Sequence, residues 1–251
     1  MRIITRSLLA ITALTLSSFA NAAPIYFSDF NTLYVADSSD GLASTVGDYT
    51  ISHSSFDIAL DSSGDIYSIS SQGELYKVNA ADASTTLIGS SGTFINGLAF
   101  DNFGNLYGSG GSQLYTLDLL TGAATLVGST GFGSAGDIIF DAANNLFLAS
   151  TSDELVSVNP FTGAGVSVGA FGISGMFGLV SVGNDLYGGS SSGDYYSIDS
   201  NTGAASFINN IGTPSNFVAG MASAPSAIPT PATLSLFVLG LLSLRYRRAT
   251  R

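Results

Sequence analysis

Four aromatic residues, Tyr67, Tyr107, Phe147 and Tyr187, stand 40 residues apart, and each closes the same kind of phrase: DSSGDIY, DNFGNLY, DAANNLF and VGNDLY. A little further on a second phrase recurs, ELYKVN, QLYTLD, ELVSVN and YYSID, ending on Asn79, Asp118, Asn159 and Asp199. A turn containing Gly122, Gly163 or Gly203 then leads into a last apolar run in three of the units. A register kept this closely means that one supersecondary unit is written several times, each copy burying its apolar face against the next.

Within a unit the pattern is that of four short strands. Gly97 to Phe100 reads as a small, apolar inner strand, Asn105 to Gly108 as a second, Gln113 to Leu117 as a third and Ala124 to Val127 as a fourth. Alternation with period 2, enrichment in Tyr, Val and Ile, and Gly, Asn or Asp at each break are strand and hairpin signals. A 40-residue period of four strands predicts an all-β chain folded as a β-propeller, which repeats four-stranded blades around a channel. A β-solenoid, the competing architecture, repeats over fewer residues. Full units run over 56–95, 96–134, 135–174 and 175–218. The opening segment IYFSDFNTLY places Phe27 over Phe100 and Tyr34 over Tyr107, a first unit about seven residues short of the solenoid or propeller period. Val218 to Ala222 resembles an inner strand and supplies the missing piece, so five blades are expected over 23–223. The D-x-x-G-N-L-Y phrase, a strand ending in Asp or Asn, and the following Thr-Gly resemble NHL-type propellers. That resemblance implies the fold alone, because such scaffolds carry many functions.

Charge is distributed unevenly along the 251 residues. There are 18 acidic and 7 basic side chains, and six of the seven basic ones (Arg2, Arg6, Arg245, Arg247, Arg248, Arg251) lie at the two ends. Lys77 alone stands between them. Nucleic acid is excluded as a partner, since its binding rests on Lys and Arg neutralising phosphates. With no Cys and a single His, thiolate zinc sites, disulfides and thiol catalysis are excluded as well.

Both ends read as addresses. Residues 1–22 combine Arg2 and Arg6, an apolar stretch from Leu8 to Leu16, and the small-x-small triplet Ala20-Asn21-Ala22. That pattern predicts a secretory signal peptide, cut by signal peptidase after Ala22. At the other end, residues 224–251 hold a Pro-containing linker, the apolar run Ala232 to Leu244, and a cluster containing Arg245, Arg247 and Arg248. As a helix the run spans about 20 Å, a short single transmembrane segment whose arginines stay on the cytoplasmic side. The order Pro229-Thr230-Pro231, apolar helix, arginine cluster resembles the PEP-CTERM sorting signal of Gram-negative bacteria. The resemblance implies recognition by an exosortase, cleavage near the Pro motif, transient inner-membrane anchoring, and delivery to the cell surface or extracellular matrix, often alongside exopolysaccharide. Thr230 stands where that family has Glu.

Candidate chemistry is sparse. Asp61, Asp101 and Asp141 recur once per unit, with Ser181 read at the corresponding place in the fourth, where a carboxylate either caps a tight turn or binds calcium. The loop ISHSSF carries His53, the one candidate general base of its type. The loops entering the inner strands hold Phe94, Phe132, Phe177 and Phe217, which suit stacking on sugar rings, with Asp57, Asn96 and Asp137 as hydrogen-bond partners. The expected function is therefore a non-catalytic binding or structural propeller of the cell surface that needs no cofactor. The alternative is a calcium-dependent hydrolase or lyase of lactonase type, with Asp57, Asn96 and Asp137 holding the metal.

Overall fold

The computed structural model describes residues 24–51 and 53–225. The expected leader with Ala20 and Ala22, and the sorting segment with Pro229, Thr230, Pro231, Arg245, Arg247 and Arg248, lie outside the described residues. Twenty strands form five antiparallel four-stranded sheets, the blades of a propeller. The first blade contains β1 (Pro24–Ser28), β2 (Thr32–Asp37) and β3 (Ala43–Asp48). The second is β4 (Ser55–Leu60), β5 (Ile66–Ser70), β6 (Glu74–Val78) and β7 (Thr85–Ser90). The third is β8 (Gly97–Phe100), β9 (Leu106–Gly110), β10 (Gln113–Leu117) and β11 (Ala124–Ser129). The fourth is β12 (Ser134–Phe140), β13 (Leu146–Ser150), β14 (Glu154–Val158) and β15 (Gly165–Ala170). The fifth is β16 (Met176–Val182), β17 (Asp185–Ser190), β18 (Asp194–Ile198) and β19 (Ala205–Asn210). A last strand, β20 (Gly220–Ser223), returns to become the inner strand of the first blade, pairing with β1.

This closure corrects the expected register of the first unit. The Gly97–Ser109, Leu98–Gly108 and Ala99–Tyr107 pairs of the third blade correspond to Gly220–Ser28, Met221–Phe27 and Ala222–Tyr26 in the first. Tyr26, not Tyr34, therefore occupies the repeated aromatic position, 41 residues before Tyr67. Phe27 lies on a second strand and Tyr34 on a third. The unit is full length, and the resemblance of β1–β2 to an inner hairpin is coincidental.

Burial follows strand order. Second strands β5, β9 and β13 are buried at every residue, whereas outer strands show paired exposed positions. Five apolar clusters each join two neighbouring blades, as between blades two and three, where Tyr67 meets Phe100 at 5.2 Å between ring centroids. Burying several such side chains per interface, at about 1.5–3 kcal/mol each, holds the ring together. The Thr-Gly turns complete the contact outside the core. Gly163, at φ +78°, sits so close to the preceding blade that a Cβ would lie 2.6 Å from the Gly128 carbonyl carbon.

The repeated aspartates are turn caps. Asp101 Oδ1 accepts from the amides of Phe103 (2.9 Å) and Asn105 (2.8 Å), and its Oδ2 accepts from Asn105 Nδ2 (2.8 Å). Asp61 Oδ1 likewise accepts from the amides of Ser63 and Asp65, and Asp141 accepts from the amide and Nδ2 of Asn145. Ser181 does not share this place. In the fifth blade Val182 pairs directly with Asp185 across a two-residue turn, and Ser181 lies one step earlier, its Oγ donating to the Phe140 carbonyl at 2.8 Å.

Inner strands run from one face of the ring to the other, which fixes where the ends leave. Ala219 lies at one end of the channel, while Ser223 and Pro225 lie at the other with Leu60, Phe100 and Phe140. Ile25 pairs with Ser223, so Pro24 sits at that same far face.

Candidate functional site at the mouth of the channel

Five residues that each sit one step before the channel-lining ring make the floor of the mouth: Phe56, Asn96, Gly136, Phe177 and Ala219. Loop residues Phe30, Phe94 and Phe217 raise its walls around an opening of about 160 Å³. The five phenylalanines form a continuous arc. Phe94 meets Phe56 at 5.9 Å, Phe56 meets Phe30 at 6.2 Å, Phe30 stacks on Phe217 at 4.8 Å, and Phe217 meets Phe177 at 5.8 Å. Edge-to-face and offset contacts at such distances add about 0.5–1.5 kcal/mol per pair beyond area burial. The arc opens on the side of Ala135 and Gly136. Asn96 is the one polar side chain in the lining, its Nδ2 donating to the Ser134 carbonyl at 3.2 Å.

Phe30 is held in place against its own backbone preference. It adopts φ +81°, a region costing of order 1–3 kcal/mol for a non-glycine residue. Neighbouring contacts enforce it: Asp29 Oδ1 accepts from the amides of Asn31 (3.3 Å) and Thr32 (2.9 Å), and its Oδ2 accepts from the Tyr34 hydroxyl (2.8 Å). The Phe30 carbonyl in turn accepts from the Ser55 amide at 2.8 Å, fastening the turn to the start of β4. Burial and the Asp29 carboxylate push the Tyr34 hydroxyl up to about 12, so it remains a donor.

One layer deeper, the ring positions are Asp57, Gly97, Asp137, Gly178 and Gly220. Asp57 and Asp137 are both 0% exposed. Innermost strands present amides with no strand beyond them, and the two carboxyls take these up. Asp57 Oδ2 accepts from Leu98 N at 2.6 Å; Asp137 Oδ2 accepts from Leu179 N at 2.6 Å and Met221 N at 3.2 Å. Glycine at position 220 is required because a Cβ there would overlap Asp57 Oδ1. Burial raises both carboxyls well above the ordinary aspartate value, and for Asp57 the neighbouring Asp137 raises it further.

The expected site residues divide accordingly. Asn96, Phe94, Phe177 and Phe217 do meet at the mouth. Asp57 and Asp137 come together one step deeper and do not line the opening. His53 is exposed in the connection from β3 to β4 and does not line the opening. Phe132 packs instead against the interface of the third and fourth blades, because Thr130 Oγ1 accepts from the Phe132 amide and donates to its carbonyl, folding the loop back. Phe30 and Phe56 are the additions. Phe56 was readable as the counterpart of Phe177; Phe30 comes from a different class of turn.

The expected calcium ligands Asp57, Asn96 and Asp137 each keep one buried side-chain oxygen without a partner. Among the described residues no three carboxylate or imidazole side chains converge. Calcium takes six to eight oxygens, whereas here two carboxyls each spend one oxygen on backbone amides. No family model and no curated protein matches the chain. Among solved structures, one reported as "The de novo evolutionary emergence of a symmetrical protein is shaped by folding constraints" is 16% identical with a TM-score of 0.57, covering 81% of this chain and all of that one. A protein of unknown function from Bacteroides thetaiotaomicron is also 16% identical, with a TM-score of 0.55 over 76% of this chain and 56% of its own. This chain thus spans a little over half of that longer protein, and at such identity the likeness is one of fold.

Proposed function

We propose that this protein is an exported, non-catalytic binding propeller of the bacterial surface or extracellular matrix, whose phenylalanine-lined mouth receives an uncharged ring with an apolar face, such as a sugar of an exopolysaccharide. The arc of five phenylalanines around a single amide, with one member held at positive φ, carries this reading. Aromatic faces stack on the C–H face of a sugar ring, and Asn96 supplies polar orientation. Charge favours a neutral ligand, since Lys77, the one basic residue among those described, is paired with Asp65 at 2.6 Å and does not line the mouth. Both ends of the propeller leave from the opposite face, which suits a body carried by its C-terminal segment with the mouth turned away. Export through residues 1–22 and sorting through Pro229, Thr230, Pro231 and the arginines by an exosortase belong to the same proposal. Calorimetric titration with neutral oligosaccharides from the host's exopolysaccharide tests it. Saturable binding that falls at least about tenfold (1.4 kcal/mol) in Phe217→Ala supports the reading, and binding indifferent to Phe217 contradicts it.

A further inference from the structure

The carboxyl pair beneath the mouth is not used by the binding reading and does something separate. Asp57 and Asp137 reach the channel from β4 and β12, which pack against each other there, and each carboxyl perturbs the other. Each gives its Oδ2 to backbone amides of other blades, and each keeps a buried Oδ1 with no partner. Two adjacent, fully buried negative charges facing a few backbone amides and no cation would be severely under-solvated. One proton placed between the carboxyls gives both free oxygens a partner and leaves a single charge, which the amides hold.

We propose that Asp57 and Asp137 share one proton at neutral pH, and that this acid pair is a latch that keeps the propeller ring closed. The proton resides on Asp57. Asp137 receives two amides, from Leu179 and Met221, and Asp57 receives one, from Leu98, so the charge is better held on Asp137. Through these bonds the pair ties the inner strands of the third, fifth and first blades, including closing strand β20. Gly220 keeps room for the Asp57 carboxyl, since a Cβ there would overlap its Oδ1.

The elements packed around the pair bring no other carboxylate or cation to it. Strands β8, β16 and β20 carry no titratable side chain. The Tyr49 hydroxyl in the connection from β3 to β4 feels the Asp57 charge, and burial keeps it neutral. A proton held by the folded chain and released by the unfolded one has a definite sign. Its stabilisation is complete below the ordinary aspartate value near about pH 4, and is lost progressively as pH rises toward the value of the folded pair.

Denaturant unfolding of the full chain at a series of pH values tests the latch. From about pH 5 upward, the unfolding constant of the wild type rises about tenfold per pH unit more steeply than that of Asp57→Asn, whose amide imitates the protonated acid. Asp137→Asn removes the better-solvated charge and is the more damaging of the two single substitutions. Should Asp57→Asn fail to fold, the infrared carbonyl band of a protonated carboxyl in wild-type protein at neutral pH decides the matter, and its absence overturns the proposal. Parallel pH profiles for wild type and Asp57→Asn also overturn it. So does stabilisation by added calcium that disappears in Asp57→Asn/Asp137→Asn, which would put a cation where the proton is placed.

Discussion

Ile25 pairs with Ser223, 198 residues further along the chain, so the ring is closed by hydrogen bonds between its first and last strands. A blade assembled from both ends cannot form until the rest of the chain is in place. Truncation before Gly220 therefore removes the inner strand of the first blade, and cooperative unfolding followed by circular dichroism is expected to disappear. Met221, buried between the fifth and first blades, reports the same closure more gently. Met221→Ala is expected to cost about 2–5 kcal/mol in denaturant unfolding.

Thr-Gly turns are where the repeat is least forgiving. Gly163 and Gly172 have nearly the same φ, +78° and +77°, but only Gly163 is pressed against another blade; a Cβ on Gly172 would meet nothing within 4 Å. Gly172→Ala should cost about 1–2 kcal/mol, the price of a left-handed conformation alone. Gly163→Ala should cost clearly more, because backbone of the fourth blade must move away from Gly128. Equal losses for the two would show that the close approach is unimportant.

The turn aspartates give a third test. Asp101→Ala removes the acceptor of three hydrogen bonds and is expected to cost about 1–2 kcal/mol, with calcium making no difference to either protein.

Stability should depend on pH in two opposing ways. Asp118 and Asp199 are held below the ordinary aspartate range by amides of their own turns. Their contribution is present above the unfolded value and lost as pH falls through the folded one. The buried pair acts in the other direction, losing its contribution as pH rises. Thermal unfolding across pH should therefore show greatest stability at about pH 4–5, lower than the usual optimum between about pH 5 and 8.

Much of this architecture was readable from the spacing of Tyr67, Tyr107, Phe147 and Tyr187, because each packs at the same place between blades. The first blade misled because TLYVAD in β2 looks like part of an inner hairpin, whereas its true counterpart is QLYTLD in β10. Only the pairing of Tyr26 with Ala222, a contact between opposite ends of the chain, shows this. The mouth was half visible for a related reason. Phe94 and Phe217 occupy the same loop position, three residues before Gly97 and Gly220, and declare themselves by the repeat, while Phe132 stands two places too early and is folded away. Phe30 belongs to the turn between β1 and β2, where no other unit has an aromatic, so periodicity could not point to it. Asp57 and Asp137 are legible in the sequence as polar partners at the mouth, but their burial one step deeper depends on β4 and β12 lining one narrow channel.

Phe30 separates binding from folding. Phe30→Gly relieves the strain of φ +81° while deleting one wall of the mouth, so stability is expected to change by less than about 1 kcal/mol. Oligosaccharide affinity is expected to fall at least about tenfold.

The central claim, that the mouth binds a ligand, is tested most directly by nuclear magnetic resonance of protein labelled at phenylalanine and titrated with neutral exopolysaccharide fragments. Phe103 and Phe161 are 71% and 84% exposed, more open than Phe94 at 54%, yet lie away from the mouth. The account predicts saturable shifts confined to Phe30, Phe56, Phe94, Phe177 and Phe217. Shifts centred on Phe103 and Phe161, or none at any phenylalanine, would contradict it.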